Sequence, residues 1–150
     1  MPKSFVKITK TIALILCFFF FTALNSKDYN TALQIKNPQN GKTYNFLVNI
    51  AKSEEQRQKG LMFVDKLPKN YGMIFEFENE QVIYMWMKNT KIPLDMLFID
   101  KAGKIVSIKE NAQIESLEII SSQKPVKKVL EINGGLTKKL GIKLNDLIII

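Results

Sequence analysis

The strongest constraint on the fold is a series of short segments in which apolar and polar residues alternate, each ended by turn residues. Alternation with a period of two is typical of β-strands that bury one face. Residues 43–50 show it clearly, and the Asn-Gly pair in 37–41 predicts a hairpin with 32–36. About eight such segments in residues 27–150 predict a mainly β fold, a small closed or partly open β-barrel.

Two short helices are expected within this β-rich pattern. Ser53 and Gln56 have the spacing of a capping box, and Gly60 is a typical helix end, so a helix is expected between them. A second helix is expected over 136–140, before Gly141. Further strands are expected over 72–77, 81–87, 94–100, 104–109, 126–132 and 144–150, with hairpin turns at 78–80 and 101–103 and an extended connection over 110–125.

One predicted strand is apolar on both faces. Residues 82–87 place Val82, Tyr84 and Trp86 on one face and Ile83, Met85 and Met87 on the other. A strand of this kind is typical of the interior of a sheet. We therefore expect it in the middle of the structure, with Trp86 as a core residue.

The absence of histidine limits the chemistry that this chain can perform. Together with a single cysteine, Cys17, it excludes Ser-His-Asp and Cys-His catalysis and any zinc site built on imidazole. The methionines could form a soft copper(I) site, but methionine more commonly fills gaps in a core. We expect no metal and no cofactor.

The N-terminus has the pattern of a secretory signal. Three lysines precede residues 11–24, which carry no charge and are shorter than the roughly 20 residues that cross a membrane easily. We interpret 1–26 as a signal peptide, with Cys17 as part of its apolar run, and 27–150 as one domain. The predicted location is periplasmic or otherwise extracytoplasmic, with an uncleaved membrane anchor at 11–24 as the alternative.

Charge argues against a nucleic-acid partner. Removing residues 1–26 takes away three of 22 basic residues and none of 14 acidic ones, so the net charge falls from +8 to +5. The remaining lysines are interspersed with acids rather than clustered. We expect a monomer whose partner is a small molecule or an envelope protein, touching a membrane only through an uncleaved N-terminal segment.

The segment 88–95 concentrates the polar groups of interest. Lys88, Asn89, Thr90 and Asp95 follow the two-faced apolar strand. On the alternation of 94–100, Asp95 shares a face with apolar residues, so its carboxylate needs a partner. Lys88 is the nearest candidate, and Arg57, the only arginine, is the other.

Two interpretations of this segment stay open. In the first, Asn89 and Thr90 cap a turn before Pro93 and Asp95 is a structural staple. In the second, the same groups line a pocket floored by Trp86 and the methionines, with Arg57 as an anion clamp. An enzyme would use Asp95 as general acid or base with Lys88; a purely structural module would instead dock on an envelope assembly.

The chain resembles the domain-of-unknown-function family 192 over residues 33–150. The motifs are Arg57-x-x-Gly60-Leu61-Met62-Phe63, Gly72-Met73-x-Phe75-x-Phe77, Trp86-Met87-Lys88-Asn89-Thr90-x-x-Pro93-Leu94-Asp95-x-x-Phe98-Ile99-Asp100, Val129-Leu130-Glu131-x-x-x-Gly135 and Gly141-Ile142-Lys143-x-x-Asp146. Asn145 and Val64 depart from the family pattern, in which glycine and a basic residue, respectively, are common at these positions. The resemblance implies a small exported protein of β-rich, barrel-like fold without an established activity.

These observations predict an exported, non-catalytic domain that binds a small ligand or a protein partner around residues 86–95. The alternative is an envelope hydrolase or carbohydrate-active enzyme that uses Asp95 and Lys88. The candidate ligand-binding residues are Arg57, Met73, Trp86, Lys88, Asn89, Thr90 and Asp95.

Overall fold

A computed structural model describes Tyr29 and residues 31–150, and this part of the chain forms seven strands and two short helices. They are β1 (Thr31–Lys36), β2 (Thr43–Ala51), α1 (Glu54–Lys59), β3 (Tyr71–Met85), β4 (Leu94–Ile99), β5 (Ile105–Ala112), β6 (Ile120–Asn133), α2 (Leu136–Leu140) and β7 (Leu147–Ile149). The predicted mainly β class with two short helices is confirmed. The predicted signal peptide, residues 1–26, lies outside the described residues.

The strands form one curled sheet in the order β5-β4-β6-β3-β2-β1-β7. Only β2 and β3 pair in parallel among the described strands, and α1 lies in the connection between them. The two edges approach each other where β5 begins, because Ile105 N donates to Asp146 O at 3.0 Å and Ile148 N donates to Gly103 O at 2.8 Å. The result is a half-barrel, in keeping with the partly open barrel predicted.

Local sequence signals account for the ends of several elements. The capping box of α1 is formed, because Ser53 Oγ accepts from Gln56 N at 3.1 Å and Gln56 Oε1 accepts from Ser53 N at 3.0 Å. The predicted β1–β2 and β4–β5 hairpins are present. Asn37 holds the first turn through its side-chain oxygen, which accepts from two backbone N–H groups.

The hairpin predicted at 78–80 is wrong, since β3 continues through these residues. The register pairs Glu76 with Lys128 and then Gln81 with Val126, so β3 advances by five residues while β6 advances by two. Such an excess bends a strand without ending its pairing. The residues expected to form a turn form a bulge instead, because β6 continues beside them as one strand. This merger leaves seven strands rather than about eight.

Side-chain alternation creates a hydrophobic core on each face of the central strands. The first core contains Met73, Phe75, Met96, Phe98 and Val129, together with residues from the far end of β3 and from loops. The second core draws on β1, β2, β4, β6 and the apolar side of α2. Its members include Leu33, Ile35, Leu97, Leu130, Ile132 and Leu136. All six residues of β4 are buried between the two cores.

The far end of β3 has one exposed face, contrary to the prediction of a strand buried on both. Ile83 and Met87 are buried, whereas Tyr84 is 67% exposed and Trp86 is 44% exposed. The pairing of β3 with β2 stops at Phe75, so that beyond this point β3 pairs with β6 alone. Its outer face has no layer above it, and Trp86 is a surface residue rather than a core residue.

Candidate functional site

Asp95 is fully buried on β4 and accepts three backbone hydrogen bonds. Its Oδ1 accepts from Asn111 N at 2.7 Å and from Gly135 N at 2.8 Å, and its Oδ2 accepts from Thr137 N at 2.7 Å. The N-cap of α2 is Gly135, which has no side chain to offer. Asp95 therefore caps α2 from a neighbouring strand and ties it to the end of β5.

The expectation that Lys88 or Arg57 pairs with Asp95 is wrong, and the register explains why. Asp95 pairs with Ile132, whereas Met96 pairs with Glu131. Since neighbouring side chains in a strand point to opposite faces, Asp95 faces the core under α2 and Glu131 faces the other. Among the described residues, no ion pair joins Asp95 to a cation.

The other predicted groups gather where the β3 end meets the following turn. The Lys88 Nζ lies 5.0 Å from the centre of the Trp86 ring, a cation–π arrangement. Thr90 is buried, its hydroxyl donates to the Lys88 carbonyl at 3.2 Å, and its N–H donates to the Met87 carbonyl at 3.0 Å. These bonds hold residues 87–90 as a turn that presents Lys88 and Trp86 at the surface.

Arg57 anchors α1 to the sheet and borders the same region. Its Nη1 donates to the carbonyl oxygens of Lys52 and, at 3.1 Å, of Glu76. Its guanidinium carbon lies 5.3 Å from the centre of the Phe77 ring. The single arginine thus has a structural task that a lysine could not reproduce with the same geometry.

A cleft of about 260 Å³, which includes space open to solvent, lies between α1 and the end of β3. It brings together three of the predicted residues, Arg57, Trp86 and Thr90, and its walls also include Lys59, Leu61, Met62, Phe75, Met85 and Glu131. Lys88 and Asn89 lie beside it, Met73 is buried behind it, and Asp95 lies on the opposite face of the sheet. The predicted site residues therefore lie in two places: most of them are in or near the cleft, whereas Asp95 has a structural role on the opposite face.

Glu131 is a cleft residue that the list of candidates left out. It is only 4% exposed, and interactions within the protein hold it. The register places it in one row between Met73 and Met96. A signal was available, because Glu131 interrupts the apolar run 129–132, and a carboxylate in such a run must be either paired or functional.

Two residues with positive φ meet at the rim of the cleft. Phe63 has φ 62° and Asn89 has φ 54°, and Phe63 N donates to Asn89 O at 2.9 Å. The Asn89 Nδ2 also lies 3.9 Å from Met62 Sδ. This conformation is unusual for phenylalanine, whose side chain here is largely exposed. Backbone strain of this kind is commonly found at functional sites.

A second, wider cleft of about 670 Å³, also open to solvent, contains none of the predicted residues. It lies between β5 and the bulged part of β6, and Lys124 is the one charged residue in its wall. It therefore lacks the combination of aromatic, cationic and carboxylate groups that the first cleft has.

The sequence matches the profile of family DUF192, described as an uncharacterized ACR, over residues 35–150. The chain belongs to this family. The solved structures that are similar to this member include the two compared below, and a search of curated proteins finds no match.

Both solved structures superpose with a TM-score of 0.77. One is a proposed transcription regulator from Sinorhizobium meliloti 1021, 40% identical, with 79% of this chain and 91% of that chain covered. The other is a protein of unknown function from Novosphingobium aromaticivorans DSM 12444, 32% identical, with 80% and 84% covered. The first carries a function in its description, and the second carries none.

The part of this DUF192 chain that the structure describes contains no group of three or more acidic, cysteine or histidine side chains arranged to hold a metal ion. In the same part, no helix is both long enough and apolar enough to cross a membrane.

Proposed function

We propose that this DUF192 protein is an exported, non-catalytic binding domain that receives a small ligand or a protein partner in the cleft between α1 and the end of β3. Trp86 offers a half-exposed aromatic ring, Arg57 and Lys59 offer positive charge, and the rest of the cleft wall combines apolar side chains with Thr90 and Glu131. Concave apolar sites with a few convergent polar groups are typical of binding sites.

The proposal that the domain is non-catalytic rests on the hydrogen bonding and burial of Asp95. Both of its oxygens accept backbone N–H bonds, in a fully buried position that faces away from the cleft. A general acid or base must come within hydrogen-bond reach of its substrate. The alternative of an enzyme built on Asp95 and Lys88 therefore has less support than binding.

Export rests on the predicted signal peptide at residues 1–26. We propose a periplasmic or otherwise extracytoplasmic location, with anchoring through residues 11–24 where the signal is not cleaved. Cell fractionation followed by N-terminal sequencing tests this, because a cytoplasmic protein with an intact N-terminus would contradict it.

The Sinorhizobium protein is described as a transcription regulator, which makes nucleic acid a candidate partner to consider. In this chain, however, several lysines lie near acids. Glu76 lies 3.6 Å from Lys52 and 3.2 Å from Lys128, and Asp65 lies 3.0 Å from Lys91. Such neutralised surfaces lack the clustered charge that phosphate recognition needs. We therefore propose no nucleic-acid partner.

The test is amide NMR of the purified protein with a library of fragments and short peptides. We expect binders to shift the amide signals of Gly60, Met62 and Thr90, and we expect Trp86→Ala to abolish these shifts. Lys124→Ala, in the second cleft, is the control and should leave them unchanged. Binders that shift only residues 106–108 of the second cleft, or no binders at all, would overturn the proposal.

A further inference from the structure

We infer that the second cleft is a binding site for an aliphatic carboxylic acid, with the carboxylate at Lys124 and the hydrocarbon chain between β5 and β6. This site is separate from the first cleft, which the proposed function concerns. Of the roughly 670 Å³ of the second cleft, about 370 Å³ is open to the centre of a water molecule. Pockets for drug-sized ligands measure about 300–1,000 Å³, so a chain of about eight carbon atoms has room here.

The curled sheet explains why this concavity exists. β5 is an edge strand, and β4 pairs with β6 only as far as Lys128. Residues 122–124 of β6 therefore have no partner strand on that side among the described strands. The cleft lies between this part of β6 and residues 106–108 of β5, with Leu144 of the turn before β7 as a further wall. Two of its walls are thus strands of the sheet.

The apolar walls of the second cleft select an aliphatic chain. Val106 and Ile108 of β5 are partly exposed, and Leu144 is 50% exposed. No aromatic side chain lines this cleft, so it lacks the stacking surface on which flat rings are commonly held. A hydrocarbon chain laid against the three aliphatic side chains removes apolar surface from water on both partners.

A single positive charge selects the other end of the ligand. Lys124 is the one charged residue in the wall, and it takes part in no ion pair among the described residues. The first cleft differs, because its wall holds Glu131 beside Arg57 and Lys59. An ammonium group without a neighbouring carboxylate favours an anion, and a carboxylate forms strong charge-assisted hydrogen bonds with it.

Hydrogen bonds fix the backbone that carries Lys124. The buried Ser122 Oγ donates to Lys124 O at 2.6 Å and accepts from Ile83 N at 3.0 Å. Gln123 N donates to Ser121 Oγ at 3.1 Å, and Gln123 has φ 60°, which is uncommon for a residue other than glycine. Because this turn is ordered without a ligand, binding costs less ordering entropy.

Amide NMR titration with three small probes tests the class of ligand. Sodium octanoate and octylammonium chloride share a hydrocarbon chain and have opposite charges, whereas sodium acetate has the carboxylate without the chain. We expect octanoate to shift the amide signals of Val106, Ile108 and Leu144 and to bind at least tenfold more tightly than either other probe. Its affinity should fall as salt is added. Octylammonium or acetate binding as tightly as octanoate, or no binding of octanoate, would overturn the inference.

Two pairs of variants, all at exposed side chains, test the site. Lys124→Glu should weaken octanoate binding about tenfold, whereas Lys69→Glu, which makes the same change in net charge in the loop between α1 and β3, should leave it unchanged. Leu144→Ser should weaken it at least threefold, whereas Ile149→Ser, at a similarly exposed residue outside the cleft wall, should not. Urea unfolding checks that each variant is folded. Equal effects within either pair would contradict the assignment of the site.

A comparison with the first cleft separates this inference from the proposed function. If octanoate shifts the amides of Gly60 and Thr90 and leaves those of Val106 and Ile108 unchanged, the inference is wrong and the first cleft is the ligand site. Trp86→Ala should leave octanoate binding unchanged, and a loss of binding in this variant would count against the second cleft. Octanoate is tested apart from the fragments and peptides, so its failure leaves the proposed function to its own test.

Discussion

Replacement of Asp95 by asparagine should cost several kcal/mol of folding free energy. Asparagine keeps one accepting oxygen and exchanges the other for an NH₂ donor. In its better orientation the oxygen still accepts from Asn111 N and Gly135 N, while the NH₂ group faces the N–H of Thr137. The substitution therefore leaves the buried Thr137 N–H without an acceptor, places a second donor against it, and removes the negative charge from the other two bonds.

The magnitude follows from these three bonds. One orphaned buried N–H costs about 1–3 kcal/mol. Hydrogen bonds to charged groups contribute about 1.5–3 kcal/mol and neutral ones about 0.5–1.5 kcal/mol, so each of the two remaining bonds weakens by roughly 1 kcal/mol. We expect a total loss of about 3–5 kcal/mol, a large part of the 5–15 kcal/mol that is usual for a domain.

Urea unfolding, followed by circular dichroism and by the fluorescence of Trp86, measures this loss. The matched control is Asp100→Asn in the β4–β5 turn, where Oδ1 accepts from Ala102 N and Lys104 N, both at 2.9 Å. Water reaches these groups and asparagine retains Oδ1, so the control should lose less than about 1 kcal/mol. A loss at Asp95 as small as that of the control would refute the assignment of Asp95 as a structural staple.

Three further predictions concern other positions. Gly72→Ala should cost roughly 3 kcal/mol in urea unfolding, because its Cβ would lie 2.6 Å from Glu131 O. Gly41→Ala should cost roughly 1 kcal/mol, because its Cβ would meet nothing within 4 Å and only the φ of +72° disfavours it. Equal losses of stability in the two variants would contradict this prediction. Phe63→Gly should raise stability in urea unfolding by up to about 1 kcal/mol by relieving positive φ, and a destabilised variant would argue against strain at the rim. Burial raises the pKa of Tyr29, so the unfolded chain loses the phenol proton at lower pH than the folded chain does. Stability should therefore fall as the pH rises above about 10. Tyr29→Phe should flatten that fall in thermal unfolding measured between pH 9 and 11.

Local signals predicted the elements whose causes are local. The capping box of α1, the turn at Asn37 and the end of α2 at Gly141 each depend on residues a few positions apart. The bulge at 77–80 was not predictable in this way, because these residues extend only where β6 runs beside them. The same holds for the exposure of Trp86, because the residue types of 82–87 do not show which of the two faces is covered in the fold.

The residues of the candidate site also differ in whether local sequence could predict them. Alternation correctly put Asp95 on an apolar face, but its partners are backbone N–H groups, which leave no mark in the residue types. Residues 86–90 were found together because they are contiguous. Glu131 and the α1 side of the cleft join them only through sheet pairing and the crossover between β2 and β3, so chain order does not reveal them.

The pairing of β7 with β1 has a consequence for the timing of folding. The outer edge of β1 stays open until β7, which follows every other strand in the chain, has been released from the ribosome. Contacts between such distant segments form slowly because a long loop must close first. For a protein that we propose to be exported, this delay is useful, since a chain that has not closed its sheet can still be threaded through a narrow translocation channel.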